Sequence, residues 1–259
     1  MTSEHDRKNE MPTEQLVIMA ASSLTDVLPE IGRQFNKLHP NIDLSFNFDG
    51  SQRIRTQLIL GARADIFISA DWKQTKDLED ANLTLSAGKS FAHNKLSIIT
   101  HEKSTTKPGT PIRKLEDLAT PGIKLVLANN NVPAGRYARH MLERAEDSKS
   151  LGTGFKDQVL HNLISNESNV RSVLQKVSLG EADAGVVYHT DVKPNVENLK
   201  LIAIPTDINL TTSYPVVVLN DSRQYSLARQ FVTFLYSDHA RATLSKYGFD
   251  PTDSALLIE

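Results

Sequence analysis

The chain has 259 residues, 29 Lys+Arg against 31 Asp+Glu for a formal charge of −2, and no Cys. The charge balance excludes a nucleic-acid binder that works by bulk charge, and the missing thiols exclude a disulfide scaffold, a thiolate zinc site and a Cys nucleophile. Charged residues at 23% and apolar residues at 39% describe an ordinary globular chain, long enough for one large domain or two lobes.

In chain order, Met1 to Gln15 is polar, lacks the apolar core of a secretory leader and reads as a disordered tail. Leu16 to Ala20 is a short continuous apolar run, the pattern of a strand covered on both faces. Leu24, Val27, Leu28, Ile31, Phe35 and Leu38 then recur at three- and four-residue steps, predicting a helix that Ser22 or Ser23 is placed to cap. Asn41 to Phe48 alternates and predicts a second strand. Gln52 to Leu60 predicts a helix ending at Gly61, and Asp65 to Ser69 a third strand. Trp72 to Asp80 predicts a short helix, and Lys95 to Thr100 a strand before a Pro/Thr/Lys-rich loop over Glu102 to Pro111. Lys124 to Ala128 predicts a strand, and Pro133 to Ala145 a helix with Pro at its start. Lys149 to Thr153 reads as a loop or a frayed helix end. Ser168 to Leu179 predicts a helix and Ala184 to Tyr188 a strand. Leu199 to Ile204 and Ser213 to Leu219 predict strands, and Gln224 to Tyr236 and Asp238 to Lys246 the closing helices. No stretch reaches the roughly 20 apolar residues of a membrane span. Strand–helix alternation implies α/β architecture with parallel strands and helices on both faces.

Ligands in such sheets sit beyond the carboxyl ends of strands. The residues there are small or neutral: Ser22-Ser23, Gly50-Ser51, the run Asn129 to Gly135, Ser168-Asn169 and Tyr188. Four of these five places open a helix, where unpaired N–H groups and a partial positive charge form an anion site without Lys or Arg. Taken singly, a Ser before a helix is an ordinary cap and a strand-end Tyr an ordinary packing residue. Their equivalent placement gives them meaning.

The blocks AASSLTDVL (Ala20–Leu28), FDGS (Phe48–Ser51), GARADIFISAD (Gly61–Asp71), VPAGRYA (Val132–Ala138), NVRSVLQKVSLGEADAGVVYHTD (Asn169–Asp191), YPVVV (Tyr214–Val218) and KYGF (Lys246–Phe249) resemble, in order, the periplasmic molybdate-binding proteins of ABC transporters. The resemblance runs from about Leu16 to Phe249. It implies the two-lobed type II periplasmic-binding-protein fold, each lobe a mostly parallel sheet flanked by helices, with the ligand cleft between lobes. The expected division is a tail over 1–14, a discontinuous first lobe over 15–95 and 208–259, and a second lobe over 96–207. The resemblance further implies one molybdate or tungstate held by Ser23, Ser51, Ala134, Val170 and Tyr188, which contact the metal oxyanion and no bare metal ion. Ser23 and Ser51 would give hydroxyl and N–H, Ala134 and Val170 N–H alone, and Tyr188 its hydroxyl. No cofactor is expected. The implied partner is the membrane permease of a molybdate ABC transporter, served by a monomer outside the cytoplasm.

Two positions depart from the family: Asp49 and Arg63 stand where many relatives have a small residue and a Pro. A carboxylate at Asp49 would oppose an anion if it pointed inward; it is expected to point away, with Arg53 four residues on as its partner. Arg53 and Arg55 would raise the potential at the cleft mouth. Arg136 and Arg171 each sit just beyond a binding position and read as surface or lobe-bracing residues. An enzyme is not expected: Asp26, His93, His101, His140, His161 and His189 are scattered, and neither a G-x-S-x-G elbow nor an H-E-x-x-H pair occurs. The competing readings are a binding protein of the same fold for another oxyanion such as sulfate, and a cytosolic oxyanion sensor.

Overall fold

The computed structural model describes residues 14–104, 109, 111–148, 151–192 and 198–252. Ten strands are present among them: β1 (Glu14–Ala21), β2 (Ile42–Asp49), β3 (Ile66–Ile68), β4 (Lys89–His101), β5 (Leu125–Ala128), β6 (Leu163–Glu167), β7 (Ala184–Tyr188), β8 (Leu199–Ala203), β9 (Thr211–Val218) and β10 (Asp250–Pro251). The helices are α1 (Val27–Leu38), α2 (Ser51–Ile59), α3 (Trp72–Asp80), α4 (Pro133–Asp147), α5 (Phe155–His161), α6 (Val170–Ser178), α7 (Tyr225–Phe234) and α8 (Asp238–Lys246).

Strands run in the order β2-β1-β3-β9-β4-β7-β5-β6, with β10 and β8 also paired to β4. Two parallel trios, β2-β1-β3 and β6-β5-β7, form the ends of this path. Between them β9 and β4 run antiparallel to their neighbours. The long strand β4 serves both halves. Lys89 to Lys95 pair with β9, whereas Leu96 to Thr100 pair with β7 and Ser97 to His101 with β8. Chain polarity therefore points the carboxyl ends of β1 and β2 and those of β5, β6 and β7 toward the helix starts that follow them.

Periodicity accounts for the packing. In α1, Val27, Leu28, Ile31 and Phe35 are buried and form one face, and the Phe35 ring meets Phe231 of α7 edge-on at 5.2 Å. Helices α4 and α6 cover β5 and β7, while α2 lies on β1 and α3 and α7 on β9. The β5 and β7 residues Leu125 to Ala128 and Ala184 to Tyr188 are buried throughout, as strands covered on both faces must be.

Several elements lie outside the expected set. β6 alternates half-buried and exposed residues and reads LISNE, too short and polar to stand out as a strand. α5 and β10 are also new, as are 3-10 turns at Ser22–Leu24, Leu115–Ala119 and His189–Asp191. β4 begins at Lys89 rather than Lys95, because a shift in register between Ser90 and Ala92 breaks the alternation that marks a strand. The expected tail, Met1 to Gln15, falls outside the described residues except Glu14 and Gln15, which are not tail but the start of β1. The loop over Glu102 to Pro111 and the segment Lys149 to Thr153 lie partly outside them.

Candidate functional site

Ser23, Ser51, Ala134, Val170 and Tyr188 line one small pocket with Ala21, Ser22, Asp49, Gly50, Ala70, Val132 and Pro133. Its cavity volume is about 10 Å³, far below the roughly 300 Å³ at which organic-ligand pockets begin. All five of the named residues are at most 3% exposed. No Lys, Arg or His lines the pocket, and the one carboxylate is Asp49.

Helix starts supply the donors. Ser51 is the first residue of α2, Val170 the first of α6, and Ala134 the second of α4, so their amides have no acceptor within the helix. Pro133 at the head of α4 has no N–H to leave unpaired and fixes the entry angle. Gly135 follows because the chain doubles back on itself there: a Cβ would sit 2.2 Å from the carbonyl oxygens of Ala128 and Asn129. Asn169 caps α6 by accepting from the Ser172 amide at 3.0 Å.

A buried hydroxyl network lies behind the pocket. Ser23 Oγ and the Tyr214 hydroxyl are 2.9 Å apart, Asn94 Nδ2 donates to Tyr214 at 3.3 Å and to Thr190 Oγ1 at 2.8 Å, and the Tyr188 and Tyr214 rings meet at 5.9 Å. The Tyr188 hydroxyl is buried without any hydrogen-bond partner. Burial, and then the neighbouring Tyr214, pushes the Tyr188 phenol well above its ordinary range, and burial does the same to Tyr214. Both therefore stay protonated at neutral pH and able to donate. Ser51 Oγ accepts from the Ala70 amide at 3.1 Å, which leaves its own proton for another acceptor.

Neither Ser22 nor Ser23 caps a helix with its side chain. The chain makes a 3-10 turn before α1 begins, so the Ser23 hydroxyl faces Tyr214 instead. Asp49 lines the mouth, but its carboxylate is engaged: Oδ1 accepts from Gly50 N at 2.7 Å and from Asn169 Nδ2 at 3.2 Å, and Oδ2 faces Arg53 at 3.4 Å. Arg136 pairs with the buried Asp71, and Arg171 pairs with Asp26 at 2.7 Å and faces Asp191 at 3.1 Å. Both arginines span from one parallel trio to the other and brace them. Arg63 is exposed. His189 turns its ring toward Ser97 Oγ at 3.2 Å and lies outside the pocket lining. Sequence reasoning did not single out Tyr214, Asn94, Asp71 or Asp191. The last two could have been flagged as lone acids directly following site segments.

Residues 16–250 match the sequence profile of a family described as bacterial extracellular solute-binding protein. The molybdate-binding protein ModA of Mycobacterium tuberculosis is 33% identical over 234 residues, 90% of this chain and 84% of its own length. A solved structure from Clostridium difficile, described as the substrate-binding domain of a putative molybdenum ABC transporter, is 28% identical with a TM-score of 0.66, covering 92% of this chain and 99% of its own. The sulfate-binding protein SubI of Mycobacterium tuberculosis has a TM-score of 0.79 at 15% identity over 94% of this chain and 88% of its own, a likeness of fold alone. On the profile match across nearly its whole length, the chain belongs to the bacterial extracellular solute-binding protein family.

Proposed function

We propose that the chain binds molybdate, and tungstate, in this pocket and delivers it to the membrane permease of an ABC transporter. The observation that supports the reading is one small pocket lined by residues at three helix starts, by Ser23 and Ser51, and by Tyr188, whose hydroxyl has no partner. Relatives named for molybdate and molybdenum support the choice of anion. A tetrahedral dianion has only acceptors, and a dry ring of donors satisfies it with charge-assisted bonds about twice as strong as neutral ones. Protonated phosphate brings a donor of its own. Its acceptors in the pocket would be the hydroxyl oxygens and Asp49, whose Oδ1 already accepts from Gly50 and Asn169; a proton left unpaired there costs about 1–3 kcal/mol. Sulfate matches in charge and differs in size.

The binding residues in this reading are Ser23, Ser51, Ala134, Val170 and Tyr188. The lobes are residues 15–95 with 208–259, and residues 96–207. The change of β4 partners between Lys95 and Leu96 supports that boundary. The protein acts as a monomer outside the cytoplasm, carries out no chemistry on its cargo and needs no cofactor. Among the described residues no helix is long and apolar enough to cross a membrane.

Thermal denaturation with molybdate, tungstate, sulfate and phosphate in turn tests the assignment. A ligand at 100 times its Kd adds about 2.7 kcal/mol. Molybdate and tungstate are expected to raise Tm together. A rise with sulfate and none with either metal oxyanion would replace this reading by a sulfate carrier.

A further inference from the structure

Each helix of the second lobe that brings an amide to the pocket carries an arginine one or two residues further on. Arg171 follows Val170 in α6, and Arg136 comes two residues after Ala134 in α4. Neither arginine lines the pocket. Both reach across to aspartates of the first lobe, and those aspartates adjoin first-lobe site segments. Asp26 follows the turn that holds Ser23, and Arg171 Nη2 meets its Oδ2 at 2.7 Å. Asp71 follows Ala70, whose amide donates to Ser51 Oγ, and it pairs with Arg136.

The opposite side of each pair is anchored within its own lobe. Arg171 Nε faces Asp191 Oδ1 at 3.1 Å, and Asp191 Oδ2 accepts from the Tyr188 amide at 3.0 Å. Asp71 Oδ1 caps α3 by accepting from the Gln74 amide at 2.9 Å. Arg171 therefore ties the Ser23, Val170 and Tyr188 segments together, and Arg136 ties Ala134 to Ser51.

We propose that Arg171–Asp26 and Arg136–Asp71 are two latches that form only when the lobes close, and that they set how long the anion is held rather than whether it is recognised. The proposal rests on the binding reading above. A contact made only in the closed state stabilises the bound complex relative to the open encounter state, so its loss acts on dissociation. The latches are positioning groups: they touch the elements that hold the ligand and leave the pocket free of positive charge. Gly50 belongs to the same closure. A Cβ there would sit 2.6 Å from the Ser168 carbonyl across the cleft, and Gln52 Nε2 donates to that carbonyl at 3.0 Å.

The test measures molybdate association and dissociation by stopped flow, with equilibrium binding and X-ray scattering alongside. The variants are Asp26→Asn, Arg136→Gln and the two combined. Asp26→Asn removes the charge of the cross-cleft arm and leaves Arg171 beside Asp191. Each single variant is expected to raise koff about tenfold, with kon within twofold for Asp26→Asn, and the pair to raise koff further. Ligand-free Tm should stay unchanged, and molybdate should produce less compaction than in wild type. Dissociation within twofold of wild type in every variant would overturn the latch. A joint fall in kon and ligand-free Tm would also overturn it, showing a static brace instead. Failure of the wild-type protein itself to bind molybdate would overturn the ligand reading, and the two failures are thus told apart.

Discussion

Tyr188 holds a protonated hydroxyl in a buried place with no partner, a condition that costs stability in the absence of an acceptor. Tyr188→Phe is therefore expected to leave the ligand-free protein as stable as wild type or up to about 1 kcal/mol more so, and to weaken molybdate binding by about 1–3 kcal/mol, read by titration calorimetry and melting. A Tyr that only packs would lose nothing in affinity. Asp191 behaves differently, because it is buried and charged beside Arg171. Burial pushes its carboxyl up to about 6, against the downward pull of Arg171 and of the Tyr188 amide and with an upward push from Asp26. A carboxyl raised above its unfolded value of about 3.9 binds more protons in the folded state, so its contribution is present at low pH and lost as pH rises from about 4 to about 6. The stability of wild type minus that of Asp191→Asn is expected to fall by roughly 1–3 kcal/mol over that window, measured by urea unfolding at stepped pH. A flat difference would mean that Asp191 keeps an ordinary acidity. Residue types at equivalent strand ends pointed to the five places, and the family resemblance singled out Ser23, Ser51, Ala134, Val170 and Tyr188 within them, all of which line one pocket. Residue types could not convey Tyr214 or Asn94, whose part comes from the contacts to Ser23 and Thr190 made far along the chain.

Helix starts decide how much of an element can be read ahead. α3 and α8 were legible to the residue, Trp72–Asp80 and Asp238–Lys246, and each has a true side-chain cap, Asp71 accepting from Gln74 and Ser237 from Ala240. α1 was read too early because Ser22 and Ser23 look like caps and are not; the turn they make ends before Val27. α5 and β6 were illegible because a short helix and a half-exposed strand leave little periodicity. Caps and close approaches also set what substitution does. Asn169→Ala removes the α6 cap and is expected to cost about 1 kcal/mol of unfolding free energy. It also frees Asp49 Oδ1 from its Asn169 contact, so molybdate affinity should fall by more than stability alone implies. Gly135→Ala is the harsher change. Its Cβ would press on backbone carbonyls that cannot rotate away, so α4 must shift and carry the Ala134 amide with it. A loss of about 1–3 kcal/mol, or more, is expected in chemical denaturation, and ligand should no longer raise Tm.

At the scale of the molecule, alternation of strands and helices predicted two α/β units, but the antiparallel insertion of β9 and β4 between the parallel trios lay beyond it. Period and propensity give a strand's existence, whereas its direction depends on where the chain returns from. Net charge has the same limitation, because −2 summed over the whole chain says nothing about the cleft rim. Arg53, Arg55, Lys73 and Arg136 line a second cavity with Asn130, Gln52 and Asn131, the last two being the neighbours in sequence of the pocket-lining Ser51 and Val132, and no acidic side chain joins the lining. Their carboxylate partners, Asp49, Asp77 and Asp71, number one fewer, and Asp71 is fully buried. On the binding reading proposed above, an approaching dianion meets a locally positive mouth on a negative molecule. Clefts of this kind focus the field, and the attraction fades as salt shortens the Debye length from about 30 Å at 0.01 M to about 8 Å at 0.15 M. The molybdate kon is therefore expected to fall severalfold across that range while koff stays nearly constant, read by stopped flow. Repulsion by the net charge would make kon rise with salt, and that sign would show the rim cations to be neutralised by their partners. Arg55→Gln with Lys73→Gln should flatten the slope without changing koff, because neither residue reaches the pocket or the latches.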